Sequence, residues 1–305
     1  MAAAAVAAAA AETGPSRVLT AERYYAEITA STGALAGLVD GADLTLQVPT
    51  CPDWTLRQLA THVGRAQRWA AEIVRTRSLR AVAFRDVPDG RIPDDPAGHA
   101  GWLRAGADRL ITVLGQAGDA KVWAFGEQRP ARFWARRMTH ETTVHGVDAQ
   151  LAAAAGNGQP RGDERPGGNG QPRGHERPAG NGQPRGEERP AIAADVAADG
   201  IDEWLTVLAG RSDGEPDPRA AGLAAGDSLH VHAADVPDGT GEWVVSHDPD
   251  GITVRRAHEK ATLALRGGAS DLLLVLVQRF PPDDPAIGVH GDPALLRRWL
   301  AATRF

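Results

Sequence analysis

The sequence predicts an α plus α/β two-domain fold, in which an N-terminal four-helix bundle precedes a small antiparallel sheet with helices. Three observations predict it. The chain has 305 residues, enough for two hydrophobic cores. A repeat rich in Gly, Pro and charged residues divides it near the middle. Apolar residues recur at spacings of three and four before the repeat, and they alternate in short runs after it.

Residues 1–16 are predicted to form a disordered tail. The segment is mostly alanine, and it lacks the positively charged and Leu-rich regions of a signal peptide. The rest of the sequence contains no run of about 18 apolar residues, which a membrane-spanning helix would need. We therefore expect no membrane partner.

Charge and cysteine content argue against two kinds of partner or site. The formal net charge is −6 with Lys and Arg dispersed along the chain, which argues against nucleic acid as a partner. Cys51 is the only cysteine, so neither a disulfide framework nor a Cys-rich zinc cluster can form. Scarce cysteine is typical of a reducing compartment, and we expect a cytoplasmic protein.

Residues 17–155 are predicted to form the four-helix bundle. Its helices are expected over 20–39, from residue 55 onward, over 97–117 and over 130–155. Thr55 and Gln58 match a capping box, which satisfies the first free N–H groups of the second helix. Pro130 suits the first turn of the fourth helix. Four helices of similar length favour a bundle.

Residues 156–191 contain three copies of a 12-residue unit, GNGQPRGDERPG and two close variants. The unit offers almost no apolar side chain to bury, so burial cannot offset the entropy cost of ordering it. We predict a disordered linker. His175 lies inside the linker and is therefore not considered a metal ligand.

Residues 192–305 are predicted to form a domain of helices and strands. A helix comes first, and short alternating runs separated by turn residues follow it. Strands are expected at 229–232, 243–245, 252–254 and 262–265, and helices at 192–209, 270–279 and 293–303. A small antiparallel sheet with helices on one face is the natural arrangement.

The fourth helix carries the residues His-Glu-Thr-Thr-Val-His at positions 140–145. This is not the zinc-protease pattern, because His140 and His145 are five residues apart instead of four. Glu141 and His145 are four apart and share one helix face. Asp148 continues that face one turn later. A carboxylate and an imidazole on adjacent turns can form half of a metal site.

His62 on the second helix is the candidate for the other half of this site. Inward-facing side chains of facing helices build metal sites in bundles, and two histidines with one glutamate leave coordination positions open, as in catalytic zinc sites. A purely structural interpretation stays open at this point. In that interpretation His62 is a hydrogen-bonded core residue, Glu141 pairs with Arg137, and Asp148 faces solvent.

Nine short segments between residues 48 and 292 carry a family resemblance. They are VPTCPDWT at 48–55, LATHVG at 59–64, VWAFG at 122–126, FWARR at 133–137, HETTVHGVD at 140–148, LHVHA at 229–233, GEW at 241–243, DLLL at 271–274 and GD at 291–292. Together they resemble the mycothiol-dependent maleylpyruvate isomerase family. The resemblance covers nearly everything except the tail and the repeat.

This resemblance implies a fold, a metal and a cosubstrate. The bundle is expected to be DinB-like, with His62, Glu141 and His145 as ligands of zinc or another divalent metal. Independently of the resemblance, Asp148 lies three residues after His145 and is expected to orient a ligand histidine by accepting a hydrogen bond from it. The C-terminal domain is expected to be similar to sterol carrier proteins. Mycothiol is the implied thiol cosubstrate, and the implied activity is cis–trans isomerisation of a maleylpyruvate-like acid or thiol S-transfer.

The chain departs from the family at Leu276-Val277-Gln278-Arg279, where the family often has Leu-Trp-Gly-Arg. The arginine is kept, and Arg279 is our candidate contact for a small anionic or electrophilic substrate, since a guanidinium can bind a carboxylate with two hydrogen bonds. The substrate and the oligomeric state are left undecided.

Alternatives to the enzyme remain at this stage. One is a non-catalytic metal-binding or small-molecule-binding protein on the same bundle, and another is a metal-dependent hydrolase. His230 and His232 alternate on one strand face, where a polar outer face is favoured over a metal pair. For Cys51, a small packed residue beside Trp54 is favoured over an activated thiol.

Overall fold

The computed structural model describes residues 19–157, 189–206, 219–249 and 251–304. The predicted tail lies outside the described residues, and so do positions 158–188 of the predicted linker. The described segments confirm the predicted two-domain fold class, with a helical bundle followed by a sheet packed against helices. Among the described residues, none of the helices combines the length and apolar character that crossing a membrane requires.

Four long helices build the N-terminal bundle, at positions close to the predicted ones. They are α1 (Ala21–Val39), α2 (Leu56–Arg75), α3 (His99–Ala117) and α4 (Arg132–Asn157). The Thr20 side chain caps α1 by accepting a hydrogen bond from the backbone N–H of Arg23. Both halves of the predicted capping box at Thr55 and Gln58 are formed. Local capping chemistry therefore sets where α1 and α2 begin.

Two small hairpins accompany the bundle, and the sequence analysis missed both. They are β1 (Gln47–Val48) with β2 (Cys51–Thr55), and β3 (Lys121–Ala124) with β4 (Glu127–Pro130). Phe125 and Gly126 join β3 to β4 with φ angles of 48° and 92°, as a tight hairpin turn requires. Strands of two to five residues are too short to show a clear alternation of apolar residues.

The C-terminal domain packs its helices on one face of a five-stranded sheet. Its helices are α5 (Ala194–Thr206), α6 (Arg219–Gly222), α7 (Ala269–Leu276) and α8 (Pro293–Ala302). Its strands are β5 (Ser228–Ala233), β6 (Glu242–Asp248), β7 (Gly251–Arg255), β8 (Leu263–Gly267) and β9 (Ile287–Gly291). The order across the sheet is β7-β6-β5-β8-β9.

The sheet is mixed, which corrects the prediction of an antiparallel one. β8 pairs with β5 in parallel, whereas the other three pairings are antiparallel. Segment 256–262 after β7 crosses the sheet to the far side of β5, and this long return brings β8 alongside β5 in the same direction. The predicted sheet was antiparallel with four strands, and β9 was not among them.

Helix α7 ends earlier than predicted, at Leu276, because the chain turns there. Gln278 has a φ of 59°, in the left-handed region where glycine costs least. The Gln278 side chain donates a hydrogen bond to the Leu300 carbonyl at 2.7 Å, which helps to hold the turn. This is the position where the resembling family often has glycine, and the turn carries Arg279 out of α7.

A buried carboxylate, Asp199 of α5, joins the two domains. Its Oδ2 atom accepts hydrogen bonds from the Tyr24 hydroxyl at 2.8 Å and from Arg136 Nε at 3.0 Å, and it lies 2.7 Å from His140 Nε2. Burial alone would raise the pKa of Asp199, but His140 and Arg136 outweigh it and the pKa is lowered. The charges of Asp199 in the C-terminal domain and Arg136 in the bundle therefore neutralise each other across the domain interface.

Asp199→Asn should destabilise the protein by about 2 kcal/mol at neutral pH, because it removes one of the two carboxylates, Asp199 and Asp202, that pair with the largely buried Arg136. The lowered folded-state pKa means that Asp199 contributes stability above its unfolded pKa of about 3.9, and that this contribution is lost as the pH falls through the folded-state value. Urea denaturation of both proteins between pH 7 and pH 3 should therefore show their difference shrinking at acidic pH. Asp195→Asn is the matched control on α5, since its exposed pair with Arg23 is worth less than about 1 kcal/mol. A constant difference across this range would contradict the assignment.

Candidate metal centre

Helices α2 and α4 bring the three predicted donors together. His62 lies in the second turn of α2, and Glu141 and His145 face it from successive turns of α4. His62 Nε2 is 2.7 Å from Glu141 Oε1, and His145 Nε2 is 3.4 Å from the same oxygen. The three donor atoms lie within 4.8 Å of one another. Two nitrogens and one carboxylate oxygen around one point form a donor set that suits a divalent zinc ion.

The three side chains differ in exposure, and the difference shows where the site opens. The exposed fractions are 38% for His62, 23% for Glu141 and 11% for His145. The site is therefore reached from the His62 side and closed behind His145. An open side is what a site that admits a small molecule needs.

Arg137 fixes the second oxygen of Glu141. Its Nη2 atom donates to Glu141 Oε2 at 3.1 Å, while its Nη1 atom donates to the buried Glu203 of α5. Burial tends to raise the pKa of Glu141, but hydrogen bonds from His145 and His62 and the charge of Arg137 hold that pKa well below its usual range. Glu141 is therefore an anion, as a metal ligand must be.

Asp148 orients His145 from behind. Its Oδ2 atom lies 2.8 Å from His145 Nδ1, so the Nδ1–H donates to the carboxylate and Nε2 is turned toward Glu141. A carboxylate behind a histidine in this way fixes the tautomer of a metal-binding imidazole. Burial lowers the pKa of His145, but the hydrogen bonds to Asp148 and Glu141 raise it to about 9 overall.

Asp148 is also bound by groups from two other parts of the chain. Arg279 donates to both carboxylate oxygens, Nε to Oδ1 and Nη2 to Oδ2, each at 3.0 Å. The Thr50 hydroxyl donates to Oδ1 from the turn between β1 and β2. Burial would raise the pKa of Asp148, but His145 and Arg279 lower it to about 2.

The guanidinium fork of Arg279 is therefore already occupied. The sequence analysis assigned Arg279 to a substrate carboxylate, whereas the structure pairs it with Asp148, and its Nη1 atom donates to the Val277 carbonyl at 2.8 Å. Asp148 contacts the donor His145, and Arg279 reaches the three donors only through Asp148. The geometry favours a positioning role for Arg279 over direct two-point binding of a substrate.

Trp54 and Thr50 are contacts of the site that the sequence analysis did not assign. The Trp54 ring lies 4.8 Å from the His62 ring and 5.8 Å from the His145 ring, between centroids. Trp54 thus forms an apolar wall beside both imidazoles. The available signal was position, because both residues lie in the hairpin that leads into the capped start of α2.

Cys51 lies at the edge of this arrangement and is not activated. Its Sγ atom is 3.7 Å from Asp148 Oδ2 and 3.7 Å from Arg279 Nη2. Burial and the negative charge of Asp148 raise the pKa of the Cys51 thiol to about 11. This agrees with the expectation of a packed residue, since a thiol with such a pKa is almost entirely protonated at neutral pH.

Comparison with known proteins gives matches over both domains. The family model of the Mycothiol maleylpyruvate isomerase N-terminal domain matches residues 25–150, and that of the MDMPI C-terminal domain matches residues 195–298. None of the curated proteins compared with the chain matches it.

The chain is similar to two solved structures. One is the crystal structure of the mycothiol-dependent maleylpyruvate isomerase, with 12% identity, a TM-score of 0.49, and coverage of 89% of this chain and 93% of that chain. The other is a histidine-to-alanine mutant of that enzyme, with 11% identity, a TM-score of 0.51 and the same coverage. The second superposition supports the fold described above.

Alkylation of Cys51 tests the electrostatics around Asp148. Because the chain has one cysteine, every modified thiol is that of Cys51. In protein treated with a chelator, iodoacetamide at pH 7 should modify Cys51 about a hundredfold more slowly than an ordinary thiol of pKa ~8.5. Asp148→Asn should speed the reaction, because it removes a charge that raises the Cys51 pKa.

Arg279→Ala is the matched control and should change the alkylation rate in the opposite direction, since the Arg279 charge lowers the Cys51 pKa. It should slow the alkylation further. The rates are followed by intact mass spectrometry across pH 6–10. Equal rates in all three proteins would show that Asp148 and Arg279 do not act on Cys51 as described.

Proposed function

The chain belongs to the mycothiol maleylpyruvate isomerase family, and from that membership we propose that it is a metal-dependent isomerase that uses mycothiol as a thiol cosubstrate. Its substrate would be a small anionic acid with a cis double bond, of the maleylpyruvate kind. The observation that carries the proposal is the convergence of His62, Glu141 and His145 within 4.8 Å.

The residues around the three donors support binding of a metal there. Glu141 supplies the negative charge that partly neutralises a divalent cation, and Arg137 fixes its orientation. Asp148 accepts a hydrogen bond from His145 Nδ1, so Nε2 is the nitrogen that would bind a metal once it has released its proton. A zinc ion held by these donors would supply a Lewis acid beside which a thiol loses its proton at neutral pH.

The chain itself lacks a suitable sulfur nucleophile. Cys51 is the only cysteine, and its pKa is raised to about 11. Its Sγ atom also lies against Asp148, behind His145, and not on the open His62 side. A thiol nucleophile at this site would therefore have to come from outside the chain, which supports a cosubstrate role for mycothiol.

The reaction needs a nucleophile that first adds to the substrate and later leaves it. A cis double bond conjugated to a carbonyl isomerises when a nucleophile adds to one alkene carbon and the π electrons move to the carbonyl. The new single bond then rotates, and the nucleophile leaves with its bonding electrons to restore the double bond in trans. If the adduct takes up a proton and departs instead, the same site performs S-transfer.

Asp148 and Arg279 are proposed as positioning residues in this reaction. Arg279 belongs to the C-terminal domain and holds Asp148 of the bundle with two hydrogen bonds. Asp148 in turn holds His145. Trp54 shields one side of His62 and His145 from water, and a drier site strengthens each electrostatic contact within it.

Metal analysis tests the ligand assignment. His62→Ala and Glu141→Gln should each lower the number of tightly bound zinc ions by one. Loss of a group that only orients a metal ligand lowers metal affinity about 10- to 100-fold. Loss of a ligand itself should lower the affinity for zinc by more than that. Mass spectrometric metal analysis of dialysed, untagged protein gives the number.

His140→Ala is the control, because His140 neighbours Glu141 in sequence but binds Asp199 instead. It should keep the full zinc content and lose stability. If wild type and His62→Ala contain the same amount of zinc, the proposed metal site is wrong.

The activity is tested with zinc-loaded protein, mycothiol and maleylpyruvate, and the isomers are separated by NMR. The trans isomer should form only when the thiol is present, and His62→Ala should reduce the rate by about a thousandfold or more, because a metal at the reacting centre supplies several kcal/mol.

Other outcomes would point to other functions. Accumulation of a stable thiol adduct would identify an S-transferase. Product that forms equally without thiol would indicate a hydrolase, and absence of turnover with bound zinc would indicate a binding protein.

A further inference from the structure

A second cluster of metal-binding side chains lies on the C-terminal domain, on the face of the sheet away from its helices. His230 and His232 alternate along β5 with Leu229 and Val231, which point into the core under the helices. The two histidines therefore lie on the opposite, outer face. Pairing with β6 places Glu242 directly across from His232 on that same face.

The crossover segment after β7 adds a third histidine to this face. His258 lies in segment 256–262, and its Nδ1 atom is 2.5 Å from Glu242 Oε2. His230 Nε2 is 2.9 Å from the same oxygen, and His232 Nε2 is 4.0 Å from Glu242 Oε1. Three imidazoles from two separate stretches of chain thus surround one carboxylate.

The three rings are nearly equidistant from one another. Their centroids are 5.8 Å, 5.9 Å and 6.3 Å apart in the three pairs. The donor atoms of His230, Glu242 and His258 lie within 4.8 Å of one another. Imidazole nitrogens with one carboxylate oxygen form a set that zinc, nickel and copper prefer over magnesium or calcium.

We propose that His230, Glu242 and His258, with His232 beside them, bind a second divalent transition metal ion such as Zn²⁺. The site shares no residue with the centre between α2 and α4, and it does not depend on the function proposed above. An ion there would fasten the crossover segment to β5 and β6, so its effect would be on the stability of the C-terminal sheet.

Exposure supports a site that an ion can enter from solvent. The exposed fractions of the side chains are 10% for His230, 16% for Glu242 and 80% for His258. Two donors are therefore held within the sheet, and the third closes over them from the crossover. A salt bridge alone needs one imidazole per carboxylate, whereas here two imidazoles approach the same Glu242 oxygen.

The test is zinc titration of untagged, full-length protein by calorimetry, with four variants that separate the two sites. Wild type should bind two zinc ions. The double variant His62→Ala with Glu141→Gln should bind one, and so should Glu242→Gln alone. The three substitutions combined should bind none. His258→Ala should also weaken the second site, and because His258 is exposed, this change should not disturb folding.

Two controls test whether binding at the second site is specific to its residues and to the metal. His290→Ala replaces an exposed histidine of β9 outside the cluster, and it should leave both ions bound. Mg²⁺ in place of Zn²⁺ should not bind at the second site. Zinc should also raise the thermal unfolding midpoint of the His62→Ala, Glu141→Gln protein, and Glu242→Gln should abolish that rise.

The proposal is overturned if the His62→Ala, Glu141→Gln protein binds no zinc. It is also overturned if adding Glu242→Gln to that protein leaves its zinc binding unchanged. Failure of the centre between α2 and α4 would look different, because wild type and the His62→Ala, Glu141→Gln protein would then bind the same number of ions.

Discussion

The arrangement of this protein depends on one buried carboxylate, that of Asp148. An anion in the interior is stable only when it is paired and hydrogen-bonded. Asp148 meets that condition with groups from three places: His145 on its own helix, Thr50 on the first hairpin and Arg279 after α7. The same bonds that stabilise Asp148 fix the imidazole of His145, so the order of the candidate centre follows from the need to neutralise this charge.

Helix α4 links that centre to the domain interface. Its Glu141 and His145 face α2, whereas Arg136 and His140 face α5 and bind Asp199. Arg137 bridges the two, since it binds Glu141 on one side and Glu203 of α5 on the other. The C-terminal domain thus contributes to the centre through charged side chains, and the two domains hold its geometry jointly.

The two clusters of histidine and glutamate differ in how they are built. The bundle cluster draws its donors from two helices, and Asp148 and Arg137 orient two of them, His145 and Glu141. The cluster on the sheet draws its donors from two strands and a crossover, and His258 is mostly exposed. Ordered ligands favour chemistry at an open metal position, whereas a surface cluster that joins neighbouring strands favours a stabilising role.

The sequence by itself determined the features that depend on neighbours along the chain. Periodicity and capping predicted α1 to α4, and spacing placed Glu141, His145 and Asp148 on one helix face, because such patterns are set within a few residues. Only the tertiary structure decided that His62 faces Glu141, and that Arg279 binds Asp148 across 131 positions instead of offering its fork to a substrate. It also decided the parallel pairing of β5 with β8 and the meeting of His258 with Glu242. These contacts depend on how helices and strands pack over long separations, which local patterns do not encode.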